Sequence, residues 1–316
     1  MPENQLTLTP NQANRRLDRV LRQHFDLAPP SLVQKWLRKK RIKMNGARAT
    51  GNETTQAGDV LTFYLAPETM AGFRSGPDAV PQGHPGTLAV VYQDADVWLV
   101  NKPAGLLTHA SAAGQDTLLG RVIFRAREAG LDYTPAVCNR LDRNTSGLVA
   151  CAVSLQGAQG LAVLFAGREV AKDYLALVQG TLTGRGRLEG VHTKDAKTNR
   201  ARIVPAGAGD AAPRVVTEYE ALRAEGGLTL VRVRIITGKS HQIRAHMAGL
   251  GFPLVGDVKY GGKPATLRGT PYHHQCLHAY RLGFPQAPGG VLPQLSGKVF
   301  SAPAPEWAHT MGYPLS

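Results

Sequence analysis

The chain has 316 residues, 43% of them hydrophobic, and its 37 Lys and Arg against 23 Asp and Glu give a net charge of +14 and a pI near 10.0. This length predicts about two domains, and no apolar run approaches the roughly 18 residues of a membrane span, so a cytoplasmic protein without a membrane partner is expected. The three cysteines are widely spaced, which argues against a disulfide framework and a CxxC zinc site, and no metal is predicted. So basic a chain is expected to bind a polyphosphate.

The first 64 residues are the most basic part, with 11 Lys and Arg against 5 Asp and Glu. NRRLDRVLRQHF predicts an amphipathic helix capped by Asn14, in which Asp18 is a surface residue paired with Arg22. PPSLVQKWLRKKRIK predicts a second helix, capped by Ser31, whose basic face suits a phosphate backbone. The alternative for that face is simple solvation. Its candidate RNA-binding residues are Lys35, Arg38 and Lys39.

Short strands follow the second helix in RATGNETTQAGDVLTFYL, with turns at Asn45-Gly46 and Gly58-Asp59. The order of two helices and then small strands, with AGD before the last strand, resembles the S4 RNA-binding domain over about residues 14–65. We therefore expect a small S4-like RNA-binding domain in residues 1–65. The Pro- and Gly-rich residues 66–86 are interpreted as a linker.

From residue 87 onward the sequence is rich in predicted strands, which include LAVVYQ, VWLVNK, GLVACAVS, YLALVQG and LTLVRVRII. TLLGRVIFRAREAG predicts one helix. Many strands with few helices between them predict a mixed, mainly antiparallel β-sheet domain of the α+β class over residues 87–316. The ITGKS segment lacks the first glycine of a P-loop, so no nucleotide-phosphate cradle is predicted there.

The tripeptide Arg-Leu-Asp occurs twice, at residues 16–18 and 140–142. The second copy precedes the apolar run GLVACAV, a predicted buried strand, and is followed by the turn formers NTSG. Asp142 is therefore expected in an ordered loop at a sheet edge. On local sequence alone, Asp142 could equally serve only to cap that turn.

Five segments after residue 87 resemble motifs of the RluA family of pseudouridine synthases. They are VVYQDADVWLVNKPAGLLTHAS, NRLDRNTSGL, AKDYLALVQG, TGKSHQIRAHMAGLGFPLVGDVKYGG and CLHAYRLGFP, which together span about residues 88–285. The resemblance departs at one position, because the family usually has His before Arg-Leu-Asp and this chain has Asn139. An amide cannot titrate near neutral pH, so Asn139 excludes proton transfer there.

The resemblance implies an isomerase that breaks the N1–C1′ bond of uridine in RNA and joins C5 to C1′, without a cofactor. It implies that Asp142 is the nucleophile, that the Arg244 cation keeps Asp142 ionised, and that Tyr174 contacts the uracil. It also implies that Arg140 occupies the position vacated by the flipped uridine. Lys102 matches a family motif and is counted among the substrate-binding residues, but Pro103 and Gly105 suggest that its main role is structural, in a turn beneath the pocket.

Members of the family with an S4 domain resemble those that modify large-subunit (23S) ribosomal RNA, so this RNA is the expected substrate and a monomer the expected state. Transfer RNA is the alternative substrate. A noncatalytic RNA-binding or ribosome-assembly protein on the same fold is the alternative from another class. The modified uridine, and the choice between attack at C1′ and a glycal route, stay open.

Overall fold

The structure is a computed structural model that describes residues 4–25, 28–73, 83–110, 115–195, 200–204, 214–286 and 290–314. The chain divides into two compact units, Met1–Gln82 and Gly83–Ser316. Each unit has a hydrophobic core of its own. No helix within the described ranges has the length and apolarity needed to cross a membrane.

The first unit combines helices with a small antiparallel sheet. Its elements are β1 (Gln5–Thr7), α1 (Leu17–His24), α2 (Pro30–Arg38), β2 (Ile42–Met44), β3 (Ala47–Arg48), β4 (Val60–Phe63) and α3 (Pro67–Gly72). The strand order is β1-β4-β2-β3. Asn45 and Gly46 have φ of 51° and 78°, as the type I′ turn of a two-residue hairpin requires. The two predicted helices and this turn are confirmed.

Both predicted helix caps in this unit are wrong. The N-cap of α1 is Arg16, and Asn14 lies before it at a φ of 57°. The first N–H groups of α1 bond to the carbonyls of Gly51 and Glu53, so a side-chain cap is not needed. Helix α2 begins before Ser31, with a proline at its first position, where the fixed φ and the missing N–H of proline are suitable.

Asp18 is buried, with 8% of its surface exposed, and is not the surface residue expected. It does pair with Arg22, at 3.5 Å, and its other oxygen lies 3.2 Å from Nε of Arg16. The loop at Gly51 covers it, and the carbonyl of Gly51 accepts the N–H of Asp18 at 3.0 Å. The first Arg-Leu-Asp copy therefore sits in a structural ion-pair cluster.

The linker expected over residues 66–86 is wrong at both ends. Helix α3 lies within it, Met70 is 4% exposed in the core of the first unit, and the ring of Phe73 meets Trp36 edge-on at 5.7 Å. At the other end, the N–H of His84 bonds to Gly120 in the second unit at 3.0 Å. The sequence analysis missed this short helix because it contains proline and glycine, which usually interrupt helices. Residues 74–82 of the expected linker lie outside the described residues.

The second unit is built on a large sheet. Its strands are β5 (Ala89–Gln93), β6 (Val97–Lys102), β7 (Ala136–Val137), β8 (Ser146–Ala152), β9 (Ala171–Gln179), β10 (Arg185–Asp195), β11 (Arg200–Val204), β12 (Arg214–Glu225), β13 (Leu228–Ile235), β14 (Ala265–Leu267), β15 (Thr270–Tyr272), β16 (Leu277–Gly283) and β17 (Val299–Ser301). Its helices are α4 (Leu118–Glu128), α5 (Leu155–Ala166), α6 (Gln242–Gly249) and α7 (Glu306–Thr310).

The sheet runs in the order β11-β10-β12-β13-β9-β16-β8-β6-β5, with β17 paired to β16 and β7 to β8. Among the described strands its pairs are antiparallel except for β8 with β16, which is parallel. Strands β14 and β15 form a separate hairpin. The predicted α+β class with a mixed, mainly antiparallel sheet is confirmed.

The expectation of a single helix in this unit is wrong. Helix α5 is apolar on most sides, so it carries no amphipathic period, and its two glycines count against a helix. Gly157 is needed there because a side chain would strike the carbonyl of Asp96. The sequence of α6 mixes polar and apolar residues that are nearly all buried, which also leaves no period.

The alternating side chains of β9 decide which face of the sheet carries the site. Tyr174, Ala176 and Val178 point into the core that includes residues of α4 and α6, whereas Leu175 and Leu177 point to the opposite core, which includes residues of α7. The loop before β8 contributes Leu141 to the first of these cores. Tyr174 and the second Arg-Leu-Asp copy therefore lie on the same face.

Candidate active site

A cleft of about 830 Å³ opens on this face of the second unit. Its wall carries five basic side chains, those of Arg140, Arg168, Lys172, Lys239 and Arg244. Asp142 is the one carboxylate among the described lining residues, and its side chain is 27% exposed. The cleft therefore holds a single accessible anion within a positively charged wall.

Backbone hydrogen bonds hold the Asp142 loop in place. The N–H of Thr145 bonds to the carbonyl of Asp142 at 3.1 Å. The hydroxyl of Thr108 donates to the carbonyl of Leu141 at 2.8 Å and accepts its N–H at 3.3 Å. The turn is thus closed by the backbone of Asp142, which leaves its carboxylate for another partner. The alternative of a merely turn-capping side chain does not fit this geometry.

Gly147 allows the loop to sit where it does. Its φ is 111°, and a side chain there would strike the carbonyl of Ala279 on β16. The parallel register sets Gly147 against Ala279, and Ala279 in turn pairs with Tyr174 on β9. The close approach of β8 to β16 therefore brings the Asp142 loop towards the strand that carries Tyr174.

Asn139, at the position where the RluA family usually has His, braces the same loop. Its Oδ1 accepts the N–H of Ala150 at 2.7 Å, and its Nδ2 donates to the carbonyl of Leu148 at 3.3 Å. Both partners lie on β8. The amide therefore does a structural task that needs one donor and one acceptor and no proton transfer.

Arg244 joins Asp142 to a second carboxylate. Its Nη1 donates to Oδ2 of Asp142 at 2.9 Å, while Nε and Nη2 form two bonds of 2.7 Å with Asp257. Burial tends to lower the pKa of Arg244, but the hydrogen bonds and charge of Asp257, and then those of Asp142, raise it above its usual range. The guanidinium is thus a permanent, rigid cation beside Asp142.

Helix α6 is fixed to β12 by the polar residues that flank Arg244. The amide of Gln242 donates to the carbonyl of Val216 and to Oγ1 of Thr217, both at 2.9 Å. His246, one turn further on, lies 2.7 Å from the same hydroxyl through Nδ1. The HQIRAH segment therefore places Arg244 from both sides.

Tyr174 is 8% exposed and lines the cleft from β9. Burial first, and the nearby charge of Asp142 second, raise the pKa of its hydroxyl above the usual range. Within the described part of the chain, no residue makes a hydrogen bond to this hydroxyl. At neutral pH it is therefore a protonated group that faces the cleft.

Lys102 does not line the cleft, which argues against its place among the substrate-binding residues and agrees with its expected structural role in the turn beneath the pocket. It is fully buried, and its ammonium donates to the carbonyls of Pro103, Leu106 and Arg143 at 3.0, 2.8 and 2.9 Å. Burial lowers the pKa of Lys102 to about 8, against an opposing effect of Asp142. Because all three protons are used on loop carbonyls, Lys102 ties together the two loops beneath the site.

Arg140 is exposed on the cleft wall, and its guanidinium makes no hydrogen bond or ion pair with the residues that the structure describes. It is thus free to meet a ligand. Lys35, Arg38 and Lys39 are exposed on the first unit. Within the second unit, the structure therefore brings together Asp142, Tyr174, Arg244 and Arg140 at the cleft, and leaves Lys102 outside its lining.

Three residues around Asp142 escaped the sequence analysis, namely Asp257, His241 and Tyr260. Asp257 is 2% exposed and neutralises Arg244. Nε2 of His241 lies 3.8 Å from Oδ2 of Asp142. The guanidinium carbon of Arg244 lies over the ring of Tyr260, 5.0 Å from the centre of that ring. An acidic residue between glycines in VGDVKYGG was the one available signal, but its partner lies 13 positions away and only the fold pairs them.

No group of three or more His, Cys, Asp or Glu placed to share a metal occurs among the described residues. What the site presents is a fixed carboxylate and cation in a cleft with a basic wall, which defines an enzyme acting on a polyanion.

Comparison with known proteins identifies the class of enzyme. Residues 96–249 match the family described as RNA pseudouridylate synthase. Ribosomal large subunit pseudouridine synthase D of Xylella fastidiosa is 32% identical over 295 residues, which cover 89% of this chain and 84% of that protein. The protein of the same name from Escherichia coli K12 is 29% identical, covering 87% of this chain and 84% of its own. The chain belongs to the RNA pseudouridylate synthase family and is an isomerase that acts on RNA.

Solved structures agree on the fold. Human RNA Pseudouridylate Synthase Domain Containing 4 superposes on 71% of this chain and 92% of its own with a TM-score of 0.54 at 23% identity. At that identity the likeness establishes a shared fold alone. The segment matched by the family contains Asp142, Tyr174 and Arg244.

Proposed function

We propose that this protein converts uridine to pseudouridine in large-subunit ribosomal RNA, with Asp142 as the nucleophile. The observation that carries the assignment of Asp142 is its position as the one carboxylate described in a basic cleft, 2.9 Å from a guanidinium. The substrate is proposed because relatives that are 32% and 29% identical to this chain over the aligned residues are named for the large ribosomal subunit.

The chemistry needs an ionised carboxylate at the ribose. The Asp142 carboxylate engages the sugar, the N1–C1′ bond breaks, and its electron pair passes to the uracil ring. The freed uracil turns, C5 bonds to C1′, the carboxylate is released, and the proton on C5 is lost while one returns to N1. Tyr174 supports the uracil through this turn, and its protonated hydroxyl is a donor to the ring.

Arg140 is proposed to occupy the stack that the flipped uridine leaves. Flipping costs a few kcal/mol, and an exposed guanidinium without a partner among the described residues is suited to replace a base by stacking. Arg140→Ala is expected to impair turnover of structured RNA more than turnover of an unstructured oligonucleotide. Equal losses on both RNAs would contradict this role.

We further propose that the first unit binds the RNA backbone through Lys35, Arg38 and Lys39. Replacing all three by Gln removes up to three phosphate contacts, so the slope of log K against log salt should become shallower by about 2 to 3. The exposed Arg48 on β3 of the same unit provides a control substitution to Gln. An unchanged slope in the triple variant would leave the basic face as merely solvated.

The test of the reaction is release of tritium from RNA labelled at uracil C5, because joining C5 to C1′ expels that hydrogen. Unmodified large-subunit ribosomal RNA and transfer RNA are compared, with Asp142→Asn and Asp18→Asn as paired variants of the two Arg-Leu-Asp copies. We expect release from ribosomal RNA by the wild type and Asp18→Asn, and none by Asp142→Asn. Because Asp18 is buried in an ion-pair cluster, folding of both variants is checked first; equal loss of release in two folded variants would overturn the assignment of Asp142.

The two RNAs also test the substrate. Release from transfer RNA alone would replace the substrate and keep the chemistry. Tight binding of both RNAs without release from either, also within assembling large subunits, would favour a noncatalytic RNA-binding protein.

A further inference from the structure

The surroundings of His241 assign it a task that goes beyond the residues discussed so far. It is the residue before α6. Its backbone, at φ 57° and ψ 19°, lies in the left-handed region that residues other than glycine rarely adopt. Gly or Asn would suit this backbone better. A histidine in this conformation, with a side chain only 13% exposed and with Nε2 3.8 Å from Oδ2 of Asp142, indicates that the imidazole itself is used.

A short chain of hydrogen bonds fixes the tautomer of this imidazole. The N–H of Ala201 on β11 donates to the hydroxyl of Tyr260 at 2.7 Å. The same hydroxyl lies 2.9 Å from Nδ1 of His241. We assign the donor role in this contact to the Tyr260 hydroxyl, because it already accepts the N–H of Ala201 and no other described residue is placed to accept its proton. A neutral His241 must then carry its own proton on Nε2.

Nε2 faces the carboxylate oxygen that Arg244 already holds. It lies 3.8 Å from Oδ2 of Asp142, and Nη1 of Arg244 lies 2.9 Å from that atom. At 3.8 Å the contact is electrostatic and longer than a hydrogen bond, although contacts in unliganded sites often shorten when substrate binds. No described residue donates to Oδ1, so the two oxygens of Asp142 have different surroundings.

The groups around His241 shift the pKa of its imidazole in opposite directions. Burial lowers the pKa of its imidazole, Asp142 opposes that effect, Arg244 and Lys259 reinforce it, and Asp257 opposes it more weakly. Burial also raises the pKa of Tyr260, so its hydroxyl keeps the proton that it donates. The neutral form with Nε2–H therefore prevails at neutral pH.

We propose that His241 is a positioning residue that, together with Arg244, anchors Oδ2 of Asp142 and so reserves Oδ1 for the ribose. The inference rests on the proposed role of Asp142 as nucleophile. It holds for attack at C1′ and for a glycal route, because either needs one carboxylate oxygen aimed at the sugar. A misaimed carboxylate can cost about 100-fold in rate, so loss of one of two anchors should be readily measured.

Three substitutions at His241 separate this role from a structural one. Gly and Asn relieve the left-handed backbone but place no N–H at the position of Nε2, whereas Gln strains the backbone and can bring its amide N–H there. The urea midpoint should therefore rank Gly and Asn above Gln. The kcat for tritium release should rank in the opposite order, with Gln within about 10-fold of the wild type and Gly about 100-fold lower, at a nearly unchanged KM. A merely structural role would make kcat follow the urea midpoint.

Tyr260→Phe provides a spectroscopic test of the tautomer. The ring under Arg244 is kept, and only the hydroxyl that donates to Nδ1 is lost. In ¹⁵N spectra of selectively labelled histidine, His241 should show Nε2–H in the wild type and a mixture of tautomers in Tyr260→Phe. An Nδ1–H form in the wild type, or kcat values that follow stability, would overturn the inference.

The two proposals can fail separately. If the wild type releases no tritium, the proposed function fails. If the wild type releases tritium, Asp142→Asn does not, and the Gln variant is no more active than Gly, only the role of His241 fails.

Discussion

Removing Arg244 should destabilise the second unit by about 3 to 5 kcal/mol, as breaking a buried ion pair does, and should also abolish turnover. The side chain of Asp257 is 1% exposed, and Arg244 is its cation, so Arg244→Met leaves a buried carboxylate without its partner. The bond to Asp142 adds less to stability because that carboxylate is 27% exposed and water can replace the lost donor. Most of the loss in stability should thus arise from Asp257 and most of the loss in activity from Asp142.

A double-mutant cycle with Asp257→Asn tests this division. Asn is neutral and nearly the same size, so the double variant should be more stable than the sum of the single losses predicts, by at least about 2 kcal/mol. The double variant should still release no tritium. Additive losses in stability, or a loss below about 1 kcal/mol for Arg244→Met, would refute the argument.

Urea unfolding followed by tryptophan fluorescence gives the stability of the second unit. Trp98 and Trp307 are buried there, 5% and 6% exposed, and Trp36 belongs to the first unit. A Trp36→Phe background therefore restricts the signal to the unit that carries the site. The four proteins of the cycle are compared in this background at one pH.

Three further outcomes follow from the contacts of single residues. Gly147→Ala should lower the free energy of unfolding by at least about 3 kcal/mol, because the new Cβ strikes the carbonyl of Ala279. As a control, Gly130→Ala, at φ 72° and with no atom within 4 Å of the new Cβ, should lower it by only about 1 kcal/mol. Equal urea midpoints for the two variants would contradict this. Tyr174→Phe should leave the free energy of unfolding within about 0.5 kcal/mol of the wild type while tritium release falls at least 10-fold, and unchanged release would exclude a role for the hydroxyl. Burial lowers the pKa of His278 to about 4, below its value of 6.5 in the unfolded chain. The stability that the neutral His278 contributes is therefore complete above pH 6.5 and declines as the pH falls towards 4. Urea midpoints measured from pH 7.5 to 4.5 should show a flatter decline for His278→Asn than for the wild type.

The sequence predicted β6, β8 and β9 of the second unit most clearly, because each is a nearly continuous buried apolar run. It predicted α4 because this helix has a clear polar face and an apolar face. The structure adds that the side chain of Thr117 caps the helix by accepting the N–H of Gly120. The sequence analysis missed α5 because a helix that is apolar on most sides has no 3.6-residue period. A helix could thus be predicted from the sequence only where buried and exposed residues alternate with the helical period.

Among site residues, Asp142, Tyr174 and Arg244 were found through the family resemblance. Local sequence could not have paired them, because Asp142 and Arg244 are 102 residues apart in the chain. For Lys102 the neighbouring Pro103 and Gly105 indicated a structural turn, but the sequence could not show its partners. Only the fold shows three carbonyls converging on its ammonium.

The parallel contact of β8 with β16 has a consequence for the time at which the enzyme becomes active. It pairs Ser146 with His278, and the hydroxyl of Ser146 lies 2.8 Å from Nδ1 of a histidine 132 positions later in the chain. Contacts between such distant segments form late, because the entropy of closing a long loop must be overcome first. A chain emerging from the ribosome thus carries Asp142 well before it has synthesised the strand that fixes its loop. The RNA binding proposed for the first unit would then precede catalysis during synthesis, and turnover begins only when β16 is in place.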